Sequence, residues 1–548
     1  MRLNEDNTFK AMYFIGTARP CAKRLILILS PLIECYFCFS IILRSVMSGI
    51  RNKSPVAVVD SMPEAFVSHA HISSEVSRRV AAGRFRKLAT RLYTRNLDDD
   101  ADTIVRRNLW NIVAGYFPGA LIADRTAIEL EPAEDGSVCL VSPRGSEVEL
   151  PGVIVRPRRG APRQTSDLPF MSKGLHLSSS ARAYLDNLHA SRARRGRVRR
   201  TLSRIEIEER LEGLMASAGV EVCNRLRDEA QLMARDIDRE SEFLQLDAIV
   251  STMAGTRSER LRAPSARARA HGRPYDASRL ALFEELFKSL RRMWVSPRQT
   301  SPRDGMGNAT LAFFDAYFSN YIEGTEFAVD EAAHIVFEGR VPRARPEDAH
   351  DILGVWRIVS DISQMRMVPE AADQLIELLR TRHAAVFEGR PSVNPGQFKM
   401  RPNRVGSLVF VSPDAVLGTL ERGFDMCRGL ESAFHRAVFM HFLVSEIHPF
   451  EDGNGRLARI MMNAELIAAN EERIVIPTVY RANYIAAQRA LSSGHSTEPL
   501  IRALDFAWDW TASVSWGTLD STVEQLRACH AFVNDAEASE RGIRLQRP

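Results

Sequence analysis

The chain reads as mainly α: a helical bundle with a β-hairpin flap fills the C-terminal half, preceded by a small α+β region with a winged-helix-like unit. Three observations point there. From Ser278 onward apolar residues recur at helical spacing almost without interruption. Within that stretch the loop Asn394-Pro395-Gly396 and the run 404–410 read as a connector and a short hairpin. Further upstream, 137–141 and 153–156 read as strands between the turn signals Asp135-Gly136 and Pro151-Gly152.

With 548 residues and 45% hydrophobic content, the chain can build several cores, so about two to four domains are expected. A net charge of +5 is too small to define a nucleic-acid partner by itself. Seven scattered cysteines, an odd number, describe no disulfide framework and suit a reducing compartment. Cys35 and Cys38 form a lone C-x-x-C in an apolar setting and read as packing.

In order, 1–55 is an apolar leader or a misplaced start. Its stretch 25–43 is long enough to cross a bilayer, but Glu34 and Pro31 oppose insertion. A soluble cytoplasmic protein is expected, with a single-pass anchor through 25–43 as the alternative and a true start at Met47 as a third reading. Residues 56–96 read as helix, turn, helix and hairpin. Pro63 begins a short helix over 63–67, Ile72, Val76 and Val80 share a helical face, and Gly83 stops it. The second helix would enter a DNA major groove with Ser73, Ser74, Ser77, Arg78 and Arg79, or its charges would simply be solvated. Residues 97–200 form an α+β region with a helix over 108–117, ending in the arginine-rich run 192–200, which is either a phosphate-attracting segment or a solvated linker. Residues 201–277 are a helical connector, opened by a capping box at Ser203 and Glu206, with a second linker over 255–275. Residues 278–515 form the bundle, and 516–548 a C-terminal tail.

The chemistry concentrates in 448–459. Gly453-Asn454-Gly455 lets the backbone turn tightly and aim N–H groups at one point. The apolar run after it reads as a helix, so this turn sits at a helix N-terminus, where phosphate is best held. Arg456 and Arg459 can fork onto phosphate oxygens, Asp452 offers a hard oxygen for Mg²⁺, and His448 can take a hydroxyl proton near neutral pH. Together they describe nucleotidyl or phosphoryl transfer from a nucleotide. The bland alternative is a core histidine, a helix-capping aspartate and ion-paired arginines.

The stretch resembles the Fic family signature H-x-F-x-(D/E)-G-N-G-R-x-x-R, matched at every specified position. The resemblance covers roughly 278–515 and implies a protein AMP-transferase using ATP and Mg²⁺. His448 would deprotonate a target hydroxyl that attacks the α-phosphate, and Asp452 would hold the metal. Gly453, Asn454 and Gly455 would cradle the phosphates, with Arg456 and Arg459 on the β and γ groups. Asn463 and Tyr484 would lie near the nucleotide. Gly455, where phosphorylating relatives carry lysine, argues for AMP transfer. The hairpin would be the flap that pairs with the target's backbone.

Ser319-Asn320-Tyr321-Ile322-Glu323-Gly324 resembles the family's inhibitory pattern (S/T)-x-x-x-E-(G/N), on a helix expected over 312–324. The implied mechanism is an ion pair from Glu323 to Arg459 that leaves ATP unfit for in-line attack. The segment up to Pro157 is similar in pattern and order to winged-helix antitoxins of the AbiEi type, through Gly83-Arg84-Phe85-Arg86-Lys87-Leu88, Leu92-Tyr93 and Asp124-Arg125-Thr126-Ala127. That likeness implies a DNA-binding regulator of toxin–antitoxin type as the rival function. A third reading is a Fic enzyme that removes AMP from proteins. The expected partners are ATP, a hydroxyl-bearing target protein or the chain itself, DNA through the N-terminal region, and a second copy in a homodimer.

Overall fold

The computed structural model of the protein describes residues 54–170, 174–194, 196–406 and 408–548. The expected leader through residue 53, with the stretch 25–43, Cys35, Cys38 and Met47, lies outside the described residues. Among the described residues no helix is long and apolar enough to cross a membrane. The chain divides into two units: one runs to Ile122 and resumes over Glu129–Leu177, and the other joins Ala123–Ile128 to Ser178–Pro548.

The first unit opens with a three-stranded antiparallel sheet ordered β1 (Ala65–Val67), β3 (Leu92–Thr94), β2 (Arg86–Ala89), with helix α1 (Ser73–Ala81) between β1 and β2. Gly83, at φ +68°, stops α1 as expected. The helix expected over 63–67 is instead β1. Phe66 sits opposite Tyr93, and all three strand residues are buried. A run this short cannot nucleate a helix alone, and the hairpin edge supplies its backbone partners. Arg79 is tied to Glu75 (2.8 Å) and Asp60 (2.7 Å), and Arg78 to Glu75 (2.6 Å), so two of the five groove-facing candidates spend their charge on the protein itself. A second sheet, ordered β6 (Val148–Leu150), β7 (Val153–Arg158), β5 (Ser137–Val141), β4 (Leu121–Ile122), β9 (Leu175–Leu177), β8 (Leu168–Phe170), pairs β5 and β7 in parallel. Ile112 and Val113 of α2 (Leu109–Tyr116) join Val138, Leu140 and Val155 in one core.

In the second unit, α3 (Arg204–Ala218) starts with the expected capping box of Ser203 and Glu206. The 255–275 stretch is not a plain linker. The N–H groups of Arg262 and Ala263 donate to the buried Glu208 carboxylate (2.6 and 2.7 Å), and a helix follows over Pro264–Ala270 with Ala266 buried. Proline at the first helical position and an alanine-rich run favour that helix once its entry is fixed. The arginine-rich run is also tethered: Arg200 pairs with Asp124 (2.8 Å), and the Arg199 carbonyl accepts from Arg125 Nη1 (3.1 Å).

The bundle contains α4 (Ala277–Arg292), α5 (Gly305–Ile322), α6 (Pro346–Ser360), α7 (Ala372–Val386), the hairpin β10 (Arg404–Val405) and β11 (Leu408–Val409), α8 (Val416–Arg428), α9 (Ala433–Ile447), α10 (Asn454–Ala468), α11 (Arg481–Gly494) and α12 (Glu498–Ser513). Both α9 and α10 are buried on nearly every side, which is why α9 is apolar almost all round. One core surrounds α9 through Phe434, Val438 and Phe442; another joins Phe313, Phe314 and Phe318 of α5 to α6. The segment expected as a tail is folded: it forms helices over Leu519–Ala528 and Asp535–Arg541 and buries Trp516, Leu526 and Ala531 in the second core. Its aromatic residues spaced among polar ones hide that role from a linear reading, since their partners lie some two hundred residues upstream on α5.

Candidate active site

The signature forms a loop from the end of α9 to the start of α10. Gly453 caps α10 at φ +78°, and a Cβ there would overlap the Phe387 ring, so both conformation and space demand glycine. The Asn454 side chain staples the loop: its Oδ1 accepts from Phe450 N–H and its Nδ2 donates to Phe450 O (both 2.9 Å). The asparagine therefore shapes the cradle rather than reaching into it. The first N–H groups of α10 have no intrahelical partner by geometry and carry the positive end of the helix dipole.

His448 closes α9 in the left-handed region, at φ +54°. For a residue with a Cβ this costs roughly 1–2 kcal/mol, which the loop must hold in place. Its ring stacks on Phe410 beside the flap, 3.9 Å between centroids at 9°. The neutral ring donates from Nδ1 to Ser445 O (3.2 Å), leaving Nε2 as the acceptor. Burial pushes its pKa down to about 4, the Ser445 carbonyl opposing; Lys399 lowers it further, while Glu323 and Asp452 pull it up.

The arginines are buried and engaged. Arg456 reaches Asp351 Oδ2 (2.6 Å) and Asn320 Oδ1 (3.2 Å) and lies over the Phe387 ring (4.7 Å). Arg459 donates from Nε to Ser319 Oγ (2.9 Å) and from Nη2 to Ser319 O (2.8 Å) and Glu323 Oε1 (2.7 Å). Burial works to lower the Arg459 pKa, yet Glu323 and Tyr484 leave it above the ordinary guanidinium value. Glu323 is the C-cap of α5, and Gly324, at φ +91°, turns the chain away. A Cβ on Gly455 would collide with the Glu323 carboxylate, so that carboxylate lies against the third residue of the nest. An anion from the protein thus stands where the sequence places a nucleotide's phosphates.

Asp452 is half-exposed. Its Oδ1 accepts from Gly453 N–H (2.6 Å), and its Oδ2 lies 3.4 Å from Arg390. Among the described residues no group of three or more His, Cys, Asp or Glu could hold a metal. A lone exposed carboxylate fits Mg²⁺ nonetheless, since that ion keeps water ligands and takes its other oxygens from phosphates.

The two residues expected near the nucleotide beyond the signature are both held by protein partners. Asn463 is fully buried, its Nδ2 donating to Asp315 Oδ2 (3.2 Å) and Ile474 O (3.0 Å), so it fastens α10 to α5. Tyr484 is buried too, its Oη shared between His441 Nε2 (2.6 Å) and Arg459 Nη1 (3.5 Å), and it supports Arg459 from behind. Three residues at the site escaped the sequence reading. His383 donates from Nε2 to Asp452 O (3.1 Å) and accepts from Gly396 N–H at Nδ1 (2.9 Å), stacked on Phe450 at 3.8 Å. Asp351 binds both Arg456 and Arg390. Lys399 lies beneath the flap. Only Lys399 carried a signal, its place in the loop before the hairpin.

Comparison with known proteins follows this geometry. Residues 373–466 match the Fic/DOC family. The chain is similar to protein adenylyltransferase fic-1 of Caenorhabditis elegans, 24% identical over 195 residues that make up 35% of this chain and 38% of that protein. It is also similar to protein adenylyltransferase Fic of Drosophila willistoni, 25% identical over 244 residues, 43% of this chain and 47% of that one. The chain thus spans less than half the length of these curated relatives. Among solved structures, Fic-1 from C. elegans aligns with 59% of this chain and 88% of its own at 17% identity, with a TM-score of 0.34. The nest, His448 and both arginines fall inside the matched segment, and the chain therefore carries a Fic domain.

Proposed function

We propose that this domain transfers AMP from ATP to a Ser, Thr or Tyr hydroxyl of a protein, and that Glu323 restrains the transfer. One observation carries the reading: the Glu323 carboxylate sits against Gly455 and Arg459 at the mouth of the nest, within electrostatic reach of His448. Once ATP displaces it, N–H groups of α10 hold phosphate oxygens and Arg459 is released toward the γ-phosphate. His448, fixed through Nδ1, accepts the hydroxyl proton at Nε2 while the hydroxyl oxygen bonds the α-phosphorus in line. The bond from that phosphorus to the bridging oxygen breaks, and pyrophosphate leaves. Mg²⁺ beside Asp452 would neutralise phosphate charge. The β10–β11 edge would pair with the acceptor segment, from another protein or from the chain itself. ATP as substrate suits a cytoplasmic setting.

Incubating the purified chain and its Glu323→Gly variant with ATP labelled at the α-phosphate tests this. Labelled protein, stronger for the variant and lost with His448→Ala, is expected; no label from either protein would defeat the reading. A second reading, removal of AMP from a modified protein, draws on the same proximity of Glu323 to His448, with the carboxylate orienting a water. It predicts that Glu323→Gly stops release of AMP from a pre-modified substrate.

A further inference from the structure

Beneath the flap, Lys399 is buried among groups that touch the His448 turn from three sides. Its backbone N–H donates to Pro449 O (2.9 Å). Its Nζ donates to Ile447 O (3.3 Å) and to Asn403 Oδ1 (2.7 Å). Asn403 in turn donates from Nδ2 to Phe450 O (3.0 Å), and its own carbonyl accepts from Phe410 N–H (3.1 Å). The Lys399 ammonium lies 5.9 Å from the centre of the Phe410 ring on which His448 stacks. Three of the four carbonyls of 447–450 are therefore held by Lys399 and Asn403, and the residue enclosed is the one whose backbone is left-handed despite its Cβ.

We propose that Lys399 is a positioning residue for the reaction: with Asn403 it clamps the 447–450 turn to the flap and fixes where His448 presents its acceptor nitrogen. The inference rests on His448 acting as the base. A lysine differs here from an apolar filler in two ways. Its ammonium donates to the Ile447 carbonyl and to the Asn403 side-chain oxygen, which an apolar side chain would leave underpaired. Its charge also opposes protonation of the imidazole. The charged groups facing His448 are Lys399 from the loop before the flap, Glu323 from the end of α5 and Asp452 from the signature; Arg279 of α4 faces Lys399. Burial, with Arg279 adding, pulls the Lys399 pKa down to about 7, so Lys399 is charged through the range in which His448 titrates.

The test compares Lys399→Met and Lys399→Arg in the Glu323→Gly background, reading self-modification with labelled ATP from pH 4.5 to 8.5 and ATP affinity by calorimetry. For Lys399→Met the expected result is at least a tenfold lower transfer rate, an ATP affinity within about twofold, and an acid limb moved to higher pH, because the cation that opposed imidazolium is gone. Lys399→Arg, keeping charge and donors, restores most of the rate. Should Lys399→Met lower the melting temperature sharply, Asn403→Ala, which keeps the ammonium but cuts its link to the flap, must show the same rate loss. An unchanged rate and acid limb in Lys399→Met, or a rate loss tracked by an equal loss of ATP affinity, would overturn the proposal. Failure of the parent Glu323→Gly protein to label anything overturns the activity itself, and is visible before any change at Lys399.

Discussion

Glu323 Oε1 lies 2.7 Å from Arg459 Nη2, and the same carboxylate occupies the space that a Cβ on Gly455 would need. One acidic side chain thereby engages both the guanidinium and the helix mouth on which a triphosphate would depend. Glu323 retains about a third of its exposure, so water reaches this contact.

Removing that carboxylate should separate activity from stability. Glu323→Gly is expected to raise self-labelling about tenfold or more, equivalent to ~1.4 kcal/mol of restraint. It should also lower the unfolding free energy by roughly 1–3 kcal/mol, because Arg459 stays buried with one partner fewer. Labelling rates and urea melts on the same preparations check both.

Gly455→Ala should reveal the crowding directly. In the native chain the new methyl must displace Glu323, at a cost of about 1–2 kcal/mol; with Glu323→Gly already in place the cost should largely vanish. Urea midpoints of the four proteins in this cycle provide the measurement. Equal costs in both backgrounds would mean the two residues do not compete for the space.

His448→Gly should lose less stability than His448→Ala, since glycine adopts φ +54° without a Cβ penalty while both lose the stacking on Phe410. Transfer should fall by about 10²–10⁴ with the base removed. Thermal melts set against labelling rates read the two effects.

Acid should weaken the fold before it protonates most carboxylates. Burial lowers the pKa of His383 to about 4 and of His441 to about 3, from an ordinary 6.5. Their neutral forms are the folded ones, so the stability is complete above pH 6.5 and drains away as pH falls toward the depressed values, by up to ~1.4 kcal/mol per pH unit for each ring. Urea midpoints between pH 7 and pH 5 should drop, and His383→Asn should flatten that slope.

The signature, the helix that follows it, the Ser319–Glu323 pattern and the hairpin were all legible because each is local: a fixed spacing or a turn whose residues are neighbours in the chain. Placement was legible where a pattern named its partner, as Glu323 did Arg459. Asn463 and Tyr484 resisted the same treatment, because burial under α5 and beside His441 is a fact of packing that no spacing encodes. Asp351 and His383 were invisible for a related reason: each looks like an ordinary polar residue on an amphipathic helix until the fold brings Arg456 or Asp452 against it. The strand at Ala65–Val67 was misread because its partner, Leu92–Thr94, decides its conformation.

Phe532 stacks against Phe318 (5.5 Å), and Arg481 bridges Asp535 (2.9 Å) to the carbonyl of Ile322, the last residue of α5 and 159 residues upstream (3.0 Å). The far end of the chain thus braces the turn from which Glu323 projects. Trimming the protein after Cys529 for crystallisation or expression should therefore loosen the Glu323–Arg459 contact, and an ATP affinity measured on such a shortened form would overstate that of the longer chain.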